Sequence, residues 1–334
     1  MLKTGRWDVP ASCSHPPLAF YLHSLPSFAY PLDWDRWRYR SDLVRDSAFL
    51  RSADTKRGNA ILLDRRYDGE HFFFWTRATS LVLAIFLFSA LYSWSRALTN
   101  YPGAILALLF AALSPNLLAH APLINTDFAL AVTFFCSSWA YRCLLVHPSY
   151  TNLLIAGLAL GLALMSKLSA LILLPAFLVT TGWFWLFSQP QERRELTRLF
   201  GTEKPIGLGA AYGSVCIVAL LILWTGYGFR YEPYVQTFRS QLWDIGVGHT
   251  AYLMGQFSTQ GWWYYFPLAL LVKTPLPTLV LAAWGLWLLA RRMPLLELGF
   301  LLWPPLLLGA LFIFGNAKNI GLRYLLGIYP FLFL

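Results

Sequence analysis

The sequence is poor in charge: Asp, Glu, Lys and Arg make up 13% of its 334 residues, whereas soluble domains carry about 25%. Only 16 residues are acidic, and hydrophobic residues make up 57% of the chain. This composition excludes a soluble globular domain. It also excludes an intrinsically disordered chain, because disorder requires low hydrophobicity.

Cysteine is also scarce. The four cysteines form no Cys-X-X-Cys pair, and three of them lie inside apolar runs. This pattern indicates neither a disulfide framework nor a zinc knuckle, so we interpret the cysteines as packing residues. They are Cys13, Cys136, Cys143 and Cys216.

Nucleotide-binding motifs are missing as well. The sequence contains neither a GxxxxGK[ST] loop nor a GxGxxG motif after a strand, which argues against a nucleotide-binding domain. Any sugar or phosphate donor must then arrive from the membrane. The formal net charge of +10 is explained by Lys and Arg in cytoplasmic loops, so we expect the lipid bilayer and no nucleic acid as a partner.

Long apolar runs are what the sequence has in abundance. A membrane-spanning helix needs roughly 20 mostly apolar residues. Gly157 and Gly161 stand at GxxxG spacing, which predicts a helix packed closely against a second one inside the bundle. The predicted fold class is therefore an all-α polytopic membrane protein. The runs extend over residues 78–95, 103–120, 128–146, 153–166, 168–187, 205–229, 262–290 and 298–314, and a further one begins at Tyr324.

The loops between these runs predict the orientation. Lys and Arg are concentrated in residues 188–204 and in the turn after Ala290, and such loops are cytoplasmic in membrane proteins. Alternation of the spans then places the opposite loops on the extracytoplasmic side. These outer regions are residues 1–76, 114–127, 230–261 and 315–323.

The predicted domain organisation is an extracytoplasmic segment, 1–76, followed by a transmembrane bundle, 77–334, with an outer loop at about 230–261. The polar segment 1–76 cannot easily cross a bilayer unaided, and no signal peptide precedes it. We therefore expect a fragment truncated at both ends, with an upstream helix that delivers the segment outside. An inverted topology or a misassigned start codon is the alternative.

Polar residues able to do chemistry gather on the predicted outer side. An ionisable residue at membrane depth costs roughly 2.5–3.5 kcal/mol, which makes such residues functional candidates. Asp127 and Lys273 fit this description best. The outer residues are His15, His120, Asp127, His249, Lys273, Lys318 and Arg323.

Each of the strongest candidates also has a structural interpretation. Asp127 stands in a Thr-Asp pair that would serve equally well as a helix N-cap. Lys273 lies in a Lys-Thr-Pro-Leu-Pro break, where it either faces a cavity or extends to the membrane interface. Lys167, in a Ser-Lys-Leu-Ser segment, resembles it.

Cations around an outer cavity suit a substrate with a phosphate, because Lys and Arg neutralise and orient such a leaving group. The aromatic run 262–266, which contains Trp263 and Tyr264, fits either a membrane-interface belt or a platform for a sugar or an isoprenoid tail. The outer histidines are able to bind a divalent metal, although no two of them share a His-X-X-His spacing.

Six short segments follow one another in a specific order, and in this order they resemble the bacterial branch of the protein O-mannosyltransferase family. The resemblance implies a GT-C glycosyltransferase that uses a polyprenyl-phosphate sugar, and it covers nearly the whole chain except residues 33–70. The segments are HPPL (15–18), WSR (94–96), LSPNLLAHAPLINTD (113–127), GLALGLALMSKLSALILLP (157–175), GWWYYFPLALLVKTPLP (261–277) and NIGLRYLLGIYPFLF (319–333).

The resemblance also implies residue roles in an inverting transfer on the outer leaflet. Asp127 matches the family's second outer acidic residue and is assigned, with His15, to catalysis. Lys273, Arg323 and Lys167 are assigned to the donor phosphate. His249 lies in the loop where some relatives place a metal-binding His. The family's catalytic base belongs to an Asp-Glu pair with no counterpart here, so we expect the chain to lack it.

The acceptor is expected to be a hydroxyl of a protein, a lipid or a glycan, and the expected location is the inner (plasma) membrane with an extracytoplasmic active face. The main alternative is a transporter or flippase of a lipid-linked substrate, which also needs cavity-facing cations and broken helices. We find no internal repeat with paired broken helices to support it. A structural membrane subunit is a third possibility.

Overall fold

The structure, a computed structural model, describes residues 15–29, 68–201, 206–247, 249–315 and 318–334. Most of the predicted outer segment 1–76, including Cys13, lies outside these residues. The domain boundary predicted at residue 77 therefore stays a prediction.

The described chain is almost entirely helical. Its α-helices are α1 (Leu18–Ser24), α2 (Gly69–Ala78), α3 (Ser80–Leu98), α4 (Tyr101–Ala112), α5 (Pro115–His120), α6 (Thr126–Val146), α7 (Tyr150–Ser166), α8 (Leu173–Phe187), α9 (Pro190–Arg198), α10 (Ile206–Gly226), α11 (Glu232–Val247), α12 (Tyr265–Lys273), α13 (Leu276–Arg292), α14 (Leu295–Phe314) and α15 (Tyr329–Leu332). Three 3₁₀ segments cover Leu25–Phe28, Leu168–Ile172 and Leu322–Ile328. Strands β1 (Ala251–Leu253) and β2 (Gln256–Ser258) form a small antiparallel hairpin in the predicted outer loop.

Five of the described helical stretches are long and apolar enough to cross a membrane. The chain is therefore a multi-pass, all-α membrane protein, which confirms the predicted class. The five stretches are Gly69–Leu98, Thr126–Val146, Leu168–Phe187, Ile206–Gly226 and Leu295–Phe314.

Two of the predicted runs are divided at a proline. Run 262–290 is divided into α12 and α13, which are bent by 110° relative to each other. Pro275 explains the division, since proline lacks the N–H that a continuous helix needs and disfavours helical backbone before it. The break predicted in the Lys-Thr-Pro-Leu-Pro segment is thus confirmed. Run 103–120 is divided in the same way, because α4 ends before Pro115 and α5 begins at it.

Helix α6 lies at the centre of the bundle, with most of its side chains buried. It packs against α7 and α3 and against the 3₁₀ segment Leu322–Ile328. Trp94 of α3 stacks on Trp139 of α6 at a centroid distance of 5.3 Å. This packing brings the first turn of α6 next to the C-terminal end of α7 and the last part of the chain.

The N-cap of α6 is Asn125, not the Thr-Asp pair that the sequence suggested. The Asn125 side-chain oxygen accepts hydrogen bonds from the backbone N–H groups of Asp127 (3.0 Å) and Phe128 (3.2 Å). An asparagine satisfies the free N–H groups of a first turn as well as an aspartate does. The carboxylate of Asp127 is therefore not needed for capping and is available for other contacts.

The glycines of α7 allow the close helix packing that their spacing predicts. A Cβ added at Gly157 would lie 2.5 Å from Cβ of Val218, and one at Gly161 would lie 2.6 Å from Cβ of Ile222. Both neighbours belong to α10, so α7 and α10 meet at backbone distance. The predicted role of the GxxxG spacing is confirmed.

Replacing Gly161 by leucine should lower the free energy of unfolding by about 1–3 kcal/mol, the usual cost of overpacking. The β-branched Ile222 cannot move its Cβ away without moving the backbone of α10. Thermal unfolding in detergent measures the effect. The control is Gly209→Leu in α10, where an added Cβ meets no atom within 4 Å. Equal melting temperatures for the two variants would contradict the prediction.

Candidate functional site

Three residues from distant parts of the sequence meet at the predicted outer end of the bundle. Lys167 Nζ donates to Asp127 Oδ1 at 2.5 Å, and Arg323 Nε lies 3.7 Å from Asp127 Oδ2. The side chains of Asp127 and Lys167 are 6% and 10% exposed, whereas that of Arg323 is 44% exposed. One buried carboxylate thus holds one buried and one accessible cation.

The local backbone explains how these side chains meet. Lys167 is the C-cap of α7 and has extended backbone angles, so the chain turns there before the next 3₁₀ segment begins. Gly321 has a φ of +133°, a conformation that L side chains rarely adopt, and it precedes the 3₁₀ segment that carries Arg323. The Lys167 ammonium group also lies 4.2 Å from the centroid of the Tyr324 ring, a cation–π contact.

A cavity of about 390 Å³ opens beside this cluster. Its size falls in the range of small-ligand sites. Polar and aromatic side chains from five parts of the chain line it, together with apolar residues of α11 and α14. The polar and aromatic lining includes His15, Lys167, Gln241, Lys318 and Tyr324.

A second acid–lysine pair lies at the edge of the same cavity. The ammonium group of Lys318 donates to Asp244 Oδ2, and Nε2 of His249 lies 3.2 Å from Asp244 Oδ1. Burial alone would raise the pKa of Asp244, but hydrogen bonding and attraction by Lys318 and His249 outweigh it and lower the pKa below its usual value. Asp244 is therefore ionised at neutral pH.

His15 is the cavity residue closest to the start of the described chain. Burial lowers the pKa of its imidazole to about 4; the nearby charge of Lys167 lowers it as well, while Asp127 acts in the opposite direction. His15 is thus neutral at physiological pH and adds no charge to the cavity.

The lowered pKa of His15 predicts a pH dependence of stability. As the pH falls below the usual histidine value of 6.5, the unfolded chain binds a proton that the folded chain accepts only near pH 4. Stability should therefore decrease between pH 6.5 and 4. In His15→Gln this decrease should become smaller, as measured by melting temperatures at pH 4.5 and 7.5. The control is the exposed His147; an equal reduction in His147→Gln would contradict the assignment.

Other residues expected at the site lie elsewhere. Lys273 is exposed and does not line the cavity; its backbone carbonyl accepts a hydrogen bond from the Asn116 side chain at 2.9 Å. Nδ1 of His120 lies 2.8 Å from the Asn116 carbonyl in the same short helix. Trp263 and Tyr264 are exposed and contact each other edge to face, so their role in a belt or a platform stays a prediction.

A metal site at His249 also stays a prediction. Within the described part of the chain, no three His, Cys, Asp or Glu side chains converge in a way that would hold a metal ion. His249 has one acidic neighbour there, Asp244, which it shares with Lys318.

Sequence reasoning missed Asp244 and Gln241. Both lie in an outer helix of ordinary polarity, where an acidic residue usually faces solvent. For Gln241 the available signal was its helical spacing with apolar residues, which places Phe238, Gln241, Leu242 and Ile245 on one face of α11.

The chain matches a known family over part of its length. Residues 72–225 match the sequence profile of the dolichyl-phosphate-mannose-protein mannosyltransferase family. The match supports this family. It spans just under half of the chain and includes Asp127 and Lys167, whereas His15, Asp244 and Arg323 lie outside it. No curated protein and no solved structure matches the chain significantly. The all-α, multi-pass architecture agrees with the GT-C type of fold in this family.

Proposed function

We propose that the chain is a membrane glycosyltransferase of the mannosyltransferase family, which transfers a sugar, in the first instance mannose, from a polyprenyl-phosphate donor. The observation that carries the proposal is the cavity with Lys167 and Lys318, each held by a carboxylate, next to the accessible Arg323. The family match over residues 72–225 supports it.

The charge of the site fits this class of donor. The three cations exceed the two carboxylates by one positive charge, and His15 is neutral. A sugar polyprenyl phosphate is a phosphodiester with a single negative charge. A diphosphate-linked sugar carries one negative charge more, so the site matches the monophosphate donor better.

In the proposed reaction, the oxygen of an acceptor hydroxyl forms a bond to the anomeric carbon and gives its proton to a carboxylate base, which the resemblance assigns to an Asp-Glu pair that is not among the described site residues. The bond between this carbon and the phosphate oxygen breaks, and its electron pair leaves with the polyprenyl phosphate. Attack opposite the leaving group inverts the anomeric configuration. The phosphate gains a second negative charge in this step, which Lys167, Lys318 and Arg323 stabilise.

Asp127 is proposed to orient these cations. Both of its oxygens face a cation, Lys167 on one side and Arg323 on the other. A buried carboxylate that fixes a lysine and an arginine preorganises the phosphate site.

The proposed reaction takes place on the extracytoplasmic face of the inner membrane, where the cluster lies if the positively charged loops are cytoplasmic. The acceptor hydroxyl belongs to a protein, a lipid or a glycan. Labelling of single introduced cysteines with a membrane-impermeant reagent tests this orientation, with Arg194 and His249 as positions on opposite sides.

Sugar transfer in proteoliposomes tests the function. The purified protein is given radiolabelled polyprenyl-phosphate mannose with protein, lipid or glycan acceptors; polyprenyl-diphosphate mannose and GDP-mannose serve as comparison donors. The expected result is labelled product from the monophosphate donor alone, with inverted configuration and at a low rate, because the chain is expected to lack the family's carboxylate base. Movement of the donor across the bilayer without product would instead indicate a flippase. Addition of EDTA to the same assay tests the predicted metal at His249.

A further inference from the structure

Helix α11 of the outer loop forms one wall of the cavity. Phe238, Gln241, Leu242 and Ile245, at helical spacing i, i+3, i+4 and i+7, line it. Within α11 itself just Pro233 and Thr237 are buried. Little buried surface therefore attaches this helix to the bundle. Its position consequently depends strongly on specific polar contacts.

Asp244, on the same helix, makes the contact that joins α11 to the cavity cations. Its Oδ2 accepts from the ammonium group of Lys318, which is 5% exposed and lines the cavity. Lys318 Nζ also lies 3.4 Å from Oε1 of Gln241, one helical turn before Asp244. The neighbouring residue Asn319 accepts a hydrogen bond from the backbone N–H of Trp262 at 2.6 Å, so the segment that carries Lys318 is held from two sides.

The two acid–lysine pairs differ in the origin of the acid. Asp127, which holds Lys167, belongs to the central membrane helix α6, whereas Asp244 belongs to the outer helix α11. A lysine side chain has four rotatable bonds, and its ammonium group occupies one place only when a partner fixes it. The position of Lys318 at the cavity therefore depends on where α11 lies.

We propose that Asp244 is a positioning residue for the transfer reaction: it holds Lys318 at the edge of the cavity for the donor phosphate and so couples the α11 wall to donor binding. This inference rests on the proposed function. Asp244 does not touch the donor itself; its effect passes through Lys318.

Steady-state kinetics with polyprenyl-phosphate mannose test the proposal. Asp244→Ala should raise KM for the donor about tenfold with a smaller change in kcat, because a Lys318 that Asp244 no longer positions binds the phosphate less well. Lys318→Ala should do the same, and the double variant should be no worse than Lys318→Ala, since both changes remove one interaction. Asp244→Glu should recover part of the affinity. Glu232→Ala, which removes an exposed carboxylate from the first turn of α11, is the matched control.

Exchanging the charges of Asp244 and Lys318 tests whether Asp244 positions Lys318 for the donor or simply attaches α11 to the bundle. Asp244→Lys combined with Lys318→Asp keeps an ion pair between α11 and the bundle but places an acid at the cavity. We expect KM to stay high in this variant. Recovery of the wild-type KM would overturn the proposal, and so would an unchanged KM in Asp244→Ala. A wild-type protein that neither binds nor transfers polyprenyl-phosphate mannose would overturn the proposed function and the inference with it, whereas the first two results would leave the function standing.

Discussion

Replacing Lys167 by methionine should reduce sugar transfer by about 100-fold or more, the range observed when one preorganised group that stabilises developing charge is removed. Lys167 is buried, lines the cavity and is fixed by both Asp127 and the Tyr324 ring. Methionine keeps the length of the side chain and removes its charge. Initial rates of transfer from polyprenyl-phosphate mannose measure the effect.

A second variant distinguishes loss of activity caused by the missing charge from loss of activity caused by misfolding. Lys167→Met leaves Asp127 buried with Arg323 as its remaining cation, which lowers stability. The double variant Asp127→Asn with Lys167→Met removes this unbalanced charge, so its melting temperature should recover while its transfer stays low. Arg194→Ala, an exposed arginine on α9, is the control and should keep the wild-type rate.

A variant of Lys273 tests the alternative location of the phosphate site. The sequence favours it as a phosphate-binding cation, but its side chain is exposed and absent from the cavity lining. We expect Lys273→Ala to retain most of the transfer rate. If Lys273→Ala lost transfer and Lys167→Met kept it, the phosphate site would lie at the break between α12 and α13, and the assignment of the cavity would be wrong.

Replacing Glu297 by glutamine should lower the free energy of unfolding by about 3–5 kcal/mol, the cost of leaving one member of a buried ion pair without its partner. Glu297 of α14 binds Arg142 of α6 through both oxygens: Nε of Arg142 donates to Oε2 at 2.8 Å, and Nη2 donates to Oε1. The two side chains are 15% and 6% exposed, and the guanidinium carbon lies 5.0 Å from the centroid of the Trp139 ring.

Thermal unfolding of the detergent-solubilised protein measures this effect. The double variant Arg142→Met with Glu297→Leu should be more stable than Glu297→Gln, because it leaves no unpaired charge in the bundle. Glu195→Gln, at an exposed position of α9, is the control for loss of a carboxylate. A Glu297→Gln protein as stable as this control would show that the pair adds nothing to the stability of the bundle.

The confirmed sequence predictions are those that depend on residues close to each other in the chain. The fold class, the break at Pro275 and the packing role of Gly157 and Gly161 follow from local rules of hydrophobic length, proline chemistry and glycine size, and the structure confirms them. Of the two interpretations of Asp127, the capping one is wrong: Asn125 caps α6, and asparagine and aspartate are equally able to cap a helix.

The structure shows where the candidate site residues lie, while their roles stay predictions. Sequence reasoning named His15, Asp127, Lys167 and Arg323, and the structure brings these four to one place. It favoured Lys273 over Lys167, whereas Lys273 lies outside the cavity, and it did not name Asp244. Ionisable side chains in an apolar segment are conspicuous in a sequence, whereas an acid in a polar helix gains its meaning from the partner it meets.

The sequence by itself determined that the chain is a multi-pass membrane protein with a helix break at Pro275, and it predicted that basic and acidic side chains accumulate on one side. Each of these properties depends on residues within about one helix length of each other. Only the tertiary structure decided which acid holds which lysine, since Asp127 with Lys167, and Asp244 with Lys318, are separated by 40 and 74 positions in the chain. Charges in a low-dielectric bundle are stable only in contact with a partner, and the folding of the helices selects that partner.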